Sequence, residues 1–234
     1  MKYALALVSL IVALPASASM QTKSGTFNGV QLHYKVIVPS DYDASKEYPA
    51  VIAFAGGAQT MPMVDGVIAR NWKLEAEKRG YIVAVLSAPA AGLFYEGGAR
   101  AFPAFLDQLL KDYRIRGGKF HIAGISSGGI SSFHIAASYP QYFISITGFP
   151  GYLPDPTPAR IAALSKMCMN MYAGEMDQGW VATMQEQSDA FRKQGFPVRF
   201  TIEKGEGHVM RTLENAGAAR LFDNFEEAAA GCKH

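Results

Sequence analysis

GISSGG, running from Gly124 to Gly129, is the stretch from which the rest of the chain can be read. A short apolar run, Phe120 to Ala123, precedes it, and ISSFHIAASYP follows as a helix that Pro140 stops. A serine between glycines at a strand-to-helix turn can adopt a strained backbone conformation, because Gly124 and Gly128 have no Cβ to collide with neighbouring elements. Such a turn pushes the Ser126 hydroxyl out of the sheet. It also sets the Ser127 N–H at a helix N-terminus, where a developing oxyanion could be held. A tight turn in any α/β protein would give the same pattern, so the reading depends on whether a base and an acid lie downstream.

Working outward, strands and helices alternate. QLHYKVIV (Gln31 to Val38) places Leu32, Tyr34, Val36 and Val38 on one face at period two. AVIAF (Ala50 to Phe54) and YIVAVL (Tyr81 to Leu86) are continuously apolar, as strands covered on both faces should be. Between them, Ile68, Trp72 and Ala76 predict a helix over 67–79 with Gly80 as its stop. Pro103 opens an amphipathic helix through Phe102, Phe105, Leu106, Leu109, Leu110 and Tyr113. After Ser126 come strands at Phe143 to Thr147, Met169 to Ala173 and Val198 to Glu203. Helices are expected near Ile161 to Leu164 and over Trp180 to Lys193, and a last one striped by Leu213, Gly217, Leu221, Phe222 and Phe225. This alternation predicts an α/β fold, a mostly parallel sheet with helices on both faces, whose ligands bind beyond the carboxyl ends of the strands.

A serine hydroxyl near pH 7 needs a base to take its proton and a carboxylate to orient that base. Of the five histidines, His33 and His121 fall in strands, His134 in a helix, and His234 ends the chain. His208 alone sits in a loop just beyond a strand, in EKGEGHVM, and is assigned as the general base. AGEMDQGW offers the acid after the preceding strand. Asp177 is preferred there, with Asp155 in the proline-rich loop as the runner-up and Glu175 and Glu206 read as solvated carboxylates. A cap on the following helix is the plainer role for Asp177. The second oxyanion donor should come from AGGAQT after AVIAF, with the Gly57 N–H preferred and Ala58 as the alternative.

GISSGG followed by AASYPQYF, with Asp177 and His208 in that order, resembles the α/β-hydrolase superfamily over nearly all of the chain after its leader. GGAQTMPMVDG, with the helix and strand after it, is more loosely similar to secreted polyhydroxyalkanoate depolymerases and feruloyl esterases. Relatives often carry a histidine before the oxyanion glycine, where this chain has Ala55. The resemblance implies an α/β-hydrolase fold without a cap domain and an ester hydrolase working through an acyl-enzyme, with no metal or organic cofactor. A peptidase on the same fold and a catalytically silent binding protein are the alternatives. Met61, Met63, Phe94, Tyr95, Phe149, Tyr152, Trp180 and Met210 lie in loops at the same sheet edge, where apolar residues suit the acyl chain or aromatic part of a small-molecule or polymeric ester, although each taken singly reads as ordinary packing before substrate contact.

With 234 residues, 49% hydrophobic and 18% charged, the chain has enough material for one well-buried core. A net charge of +2 without charged blocks gives no reason to expect nucleic acid as a partner. Residues 1–18 read as a secretory signal: Lys2, an apolar run from Ala4 to Leu14, Pro15, and small residues before a cut after Ala18. That run is short for a bilayer span, so stable membrane insertion is not expected after cleavage. Residues 19–234 then form a single domain in the periplasm or outside the cell. In such an oxidising compartment the two cysteines, Cys168 and Cys232, are expected to bridge.

Overall fold

The computed structural model describes residues 19–90 and 92–232, so the expected leader and His234 lie outside the described residues. Eight strands form one sheet: β1 (Ser19–Phe27), β2 (Val30–Val38), β3 (Ala50–Phe54), β4 (Ile82–Leu86), β5 (Phe120–Gly124), β6 (Phe143–Gly148), β7 (Cys168–Gly174) and β8 (Val198–Glu203). Their spatial order is β1-β2-β4-β3-β5-β6-β7-β8. The pairs β1/β2 and β2/β4 are antiparallel and the remaining pairs parallel. The chain leaves β3 for β4 on one side, then returns to place β5 on the other. This reversal opens a crevice beyond the carboxyl ends of β3 and β5, where the glycine-rich loop and Ser126 lie.

Helices cover both faces. On one face lie α1 (Met61–Val67), a π-helical turn (Ile68–Trp72), α2 (Lys73–Arg79) and α7 (Ala219–Ala229). Trp72, Phe222 and Phe225 from this layer pack on Val51, Ala53, Val83 and Val85 of the sheet. On the other face lie α3 (Phe102–Asp112), α4 (Ser127–Ser138), α5 (Pro158–Ala163) and α6 (Gln178–Lys193). Phe102, Phe105 and Phe133 from it share one buried cluster with Ile52, Phe54, Ile82 and Ala84, and Met184 and Phe191 extend that cluster where α6 covers β7 and β8. Successive residues of β3 serve opposite layers, which is why that strand reads as unbroken apolar sequence. Each fully buried large side chain contributes about 1.5–3 kcal/mol. Cys168, at the start of β7, is bridged to Cys232 beyond α7 with a Cα–Cα distance of 5.6 Å. The bridge ties the C-terminal helix to the sheet across a sequence separation of 64.

The architecture agrees with the expected one, with three differences. β1 has no apolar alternation, yet it pairs along all of β2. Its polar, largely exposed side chains leave backbone hydrogen bonds as its main attachment, an edge strand invisible to hydrophobic periodicity. The helix expected over 67–79 starts at Met61, with Pro62 in its first turn, and passes through the π turn. Leu213 and Gly217 do not belong to the last helix: they lie in short 3-10 turns separated by extended Glu214.

Candidate active site

Ser126 joins β5 to α4 with φ 57° and ψ −120°, a region that side-chain-bearing residues rarely occupy. Its N–H donates to the Pro150 carbonyl at 2.7 Å, and the Gly128 N–H donates to the Ile125 carbonyl at 2.8 Å. The flanking glycines are needed for close approach. A Cβ on Gly124 would lie 2.3 Å from the Gly128 oxygen, and one on Gly128 would lie 2.4 Å from the Ala55 oxygen. The turn is thus held by backbone on both sides. As at every helix start, the N–H of Ser127 has no acceptor within its own helix.

His208 Nδ1 lies 2.6 Å from Asp177 Oδ2. Asp177 occupies the N-cap position of α6 but makes no side-chain cap bond, so its carboxylate is committed to the imidazole rather than to the helix. The imidazole side chain is 41% exposed and the carboxylate 19%. The loop after β8 is fastened by polar contacts. Glu175 accepts from the Gly205 N–H at 2.8 Å, and Glu206 accepts from the N–H groups of Arg211 and Thr212 at 3.1 and 3.0 Å. These two carboxylates, expected to be merely solvated, therefore shape the loop that carries His208. Glu203 receives both terminal nitrogens of Arg220 and the Thr212 hydroxyl. The Arg220 hydrogen bonds, more than burial opposes, hold its carboxyl below the usual carboxylate range. The loops after β7 and β8 also touch directly: a Cβ on Gly174 would lie 2.0 Å from the Gly207 oxygen.

Ser126 and His208 line one open cavity of about 630 Å³, together with Gly56, Gly57, Thr60, Met63, Arg70, Val209 and Glu214. Gly57 is part of its wall and Ala58 is not. The Ser127 hydroxyl donates to the Gly57 carbonyl at 2.6 Å, and the Ser131 hydroxyl donates to the Ser127 carbonyl at 2.9 Å. Buried Gln59 reaches Ser131 Oγ at 3.3 Å and completes a polar chain that sequence reasoning missed. Its only sequence signal is a polar residue two positions after a glycine pair.

Of the apolar residues expected around the site, Met63 lines the cavity. Trp180 stands 5.3 Å from the His208 ring, with Tyr152 5.1 Å beyond it. Phe94, Phe149 and Met210 are buried in the core, the ordinary packing role read for each taken singly. Met61 packs on the same core from its margin.

The other histidines are occupied elsewhere. His33 is exposed on β2. His121 is buried, with Nδ1 2.7 Å from Ser145 Oγ, and desolvation pushes its pKa down to about 3. His134 pairs with Arg160 at 2.9 Å; burial first, then the guanidinium, lowers its pKa. Asp155 acts electrostatically on His134, against the two lowering causes. Among the described residues, no group of three or more His, Cys, Asp or Glu is placed to hold a metal ion. Among the same residues, no helix is long and apolar enough to cross a membrane.

No family model matches the chain. A curated relative, dipeptidyl-peptidase 5 of Porphyromonas gingivalis, is 27% identical over 138 residues, which is 54% of this chain and 20% of the peptidase. The match thus spans only a small part of that relative's length. Among solved structures, a thermostable esterase superposes with a TM-score of 0.68 at 16% identity, over 92% of this chain and 63% of that one. A ferulic acid esterase superposes with the same score at 17% identity, over 93% of this chain and 99% of the other. With the sheet order and the strand-to-helix serine, these likenesses give the chain the α/β-hydrolase fold.

Proposed function

We propose that this protein is an exported serine hydrolase of carboxylic esters. The observation that carries the reading is the shared cavity of Ser126 and His208, with Asp177 hydrogen-bonded to the far side of the imidazole. Ser126 Oγ attacks the ester carbonyl carbon while His208 Nε2 accepts its proton. The carbonyl π electrons move onto oxygen, held by the N–H groups of Ser127 and Gly57. When the intermediate collapses, the C–O bond to the alcohol breaks and His208 returns its proton to the departing alkoxide. Water then repeats the sequence on the acyl-enzyme, releasing the acid and restoring Ser126. Asp177 holds the imidazole in the required tautomer and stabilises the imidazolium. No step in this sequence calls for a metal or organic cofactor.

The likeness to an esterase matched over almost its whole length supports ester substrates. The peptidase relative supports amide cleavage as a second reading. Export is supported by the leader-like first 18 residues together with the Cys168–Cys232 bridge.

The test is labelling with a fluorophosphonate probe, followed by turnover of aryl esters of increasing chain length beside a panel of peptide amides. Labelling that disappears in Ser126→Ala, with esters cleaved faster than amides, is the expected result. Faster amide cleavage would favour the peptidase, and a parent protein that neither labels nor turns over would overturn the enzyme reading.

A further inference from the structure

We propose that Arg70 is a specificity-determining residue that receives a carboxylate of the substrate, so that the preferred esters carry a negative charge on their acyl or alcohol part. The inference rests on the hydrolase reading and names its substrate class. Arg70 is the one lysine or arginine among the described residues that line the Ser126–His208 cavity. Its seat is built by three separate features of the fold.

The first is the π-helical turn, Ile68–Trp72, between α1 and α2. Such turns insert a residue into an α-helix and recur at functional sites. Here Ile68, Asn71 and Trp72 are buried while Arg70 remains exposed and faces the cavity. Asn71 Nδ2 donates to the Leu213 carbonyl at 2.9 Å, which fastens the turn beside Glu214.

The second is the pairing with Glu214. Arg70 Nε lies 2.9 Å from Glu214 Oε1, and the side chains are 46% and 14% exposed, so the guanidinium is the more accessible partner. The approach is through Nε, and the two terminal nitrogens of a guanidinium form a planar fork suited to a second carboxylate.

The third is Gly66, four residues earlier on α1 and also in the cavity wall. A Cβ there would stand 3.1 Å from Arg70 Nη1 and 3.5 Å from Nη2. Glycine is poorly suited to a helix interior. At this position it lets the guanidinium lie close against the helix.

The test uses the full chain with its disulfide intact. Two matched pairs separate the acyl from the alcohol side: 4-nitrophenyl hydrogen adipate against 4-nitrophenyl hexanoate, and 4-acetoxybenzoate against its methyl ester. The parent is expected to favour the charged member of one pair by about tenfold in kcat/KM, the scale of a charge-assisted contact. Arg70→Gln should lower that ratio by about tenfold, and Gly66→Ala, which only nudges the guanidinium, should lower it by less. The parent ratio should also fall as salt is raised.

Calorimetric titration of Ser126→Ala with adipate, with and without Arg70→Gln, reads the same site without turnover. An Arg70-dependent ratio or Arg70-dependent binding supports the proposal, and the absence of both overturns it. Binding that depends on Arg70 in a protein that cleaves no ester would instead sink the ester-hydrolase reading. Ester turnover indifferent to charge and to Arg70 would sink only the carboxylate site.

Discussion

The Ser127 hydroxyl donates to the Gly57 carbonyl at 2.6 Å, joining the loop after β3 to the first turn of α4. The two backbone N–H groups proposed for the oxyanion belong to these same two residues, so one hydrogen bond sets their separation. In Ser127→Ala both N–H groups remain and the tie is lost. We expect turnover to fall about tenfold, less than the hundredfold or more that follows loss of a donor itself. Gly57 is exposed, so its carbonyl can turn to water and stability should stay within about 1 kcal/mol of the parent. Ester kinetics and urea unfolding of the variant check both parts.

How much of this was legible beforehand varies with the kind of contact. The positions of Ser126, Asp177 and His208 follow from strand order and loop placement, which periodicity reveals. Gln59 acts on the Ser131 hydroxyl and Glu175 and Glu206 on backbone N–H groups of the loop after β8, and a polar side chain in a loop gives no sign of its target. β1 escapes a reading by periodicity because its pairing is carried by main chain, and hydrophobicity alone does not separate Met63 on the cavity wall from Phe94, Phe149 and Met210 in the core.

Backbone strain at the nucleophile gives a test that separates two inactive variants. Ser126→Ala retains a Cβ at φ 57°, whereas Ser126→Gly does not. Both should lose at least about four orders of magnitude in turnover. The glycine variant should nonetheless be the more stable of the two, by about 1 kcal/mol in urea unfolding. Equal midpoints would mean that the turn is not strained.

Asp177→Asn keeps the size of the side chain and removes its charge beside His208 Nδ1. The expected fall in kcat is about 10⁴-fold, with KM little changed. Because Asp177 makes no cap bond to α6, unfolding should shift by less than about 1 kcal/mol. A variant that unfolds easily but turns over normally would assign Asp177 to the helix.

Gly174→Ala tests the contact between the two loops that bring Asp177 and His208 together. The added carbon would meet the Gly207 oxygen at 2.0 Å and the Glu206 oxygen at 2.5 Å, both backbone atoms. We expect about 1–3 kcal/mol of destabilisation and a hundredfold fall in turnover as the loops part. Unimpaired kinetics would show that the imidazole tolerates a displaced loop.

His121 makes stability depend on pH. Its pKa falls from 6.5 to about 3 on folding, so below pH 6.5 the unfolded chain binds a proton that the fold refuses. This contribution is fully present above pH 6.5 and is lost as pH falls toward 3, by at most about 1.4 kcal/mol per pH unit. His134, also lowered, adds to the loss with the same sign. His121→Asn retains a polar partner for Ser145 and cannot titrate, so its unfolding free energy should decline less steeply between pH 7 and 5. That window lies above the range in which Glu203 protonates. Identical slopes would remove His121 as a source of acid sensitivity.

The chain has two tryptophans in contrasting surroundings. Trp72 is sealed between the sheet and α7, while Trp180 stands against the His208 ring and is partly open to solvent. A change in the charge of that imidazole, or an acyl group arriving beside it, therefore alters the environment of one indole and leaves the other as an internal reference. Intrinsic fluorescence can in this way follow events at the reaction centre in the unlabelled protein.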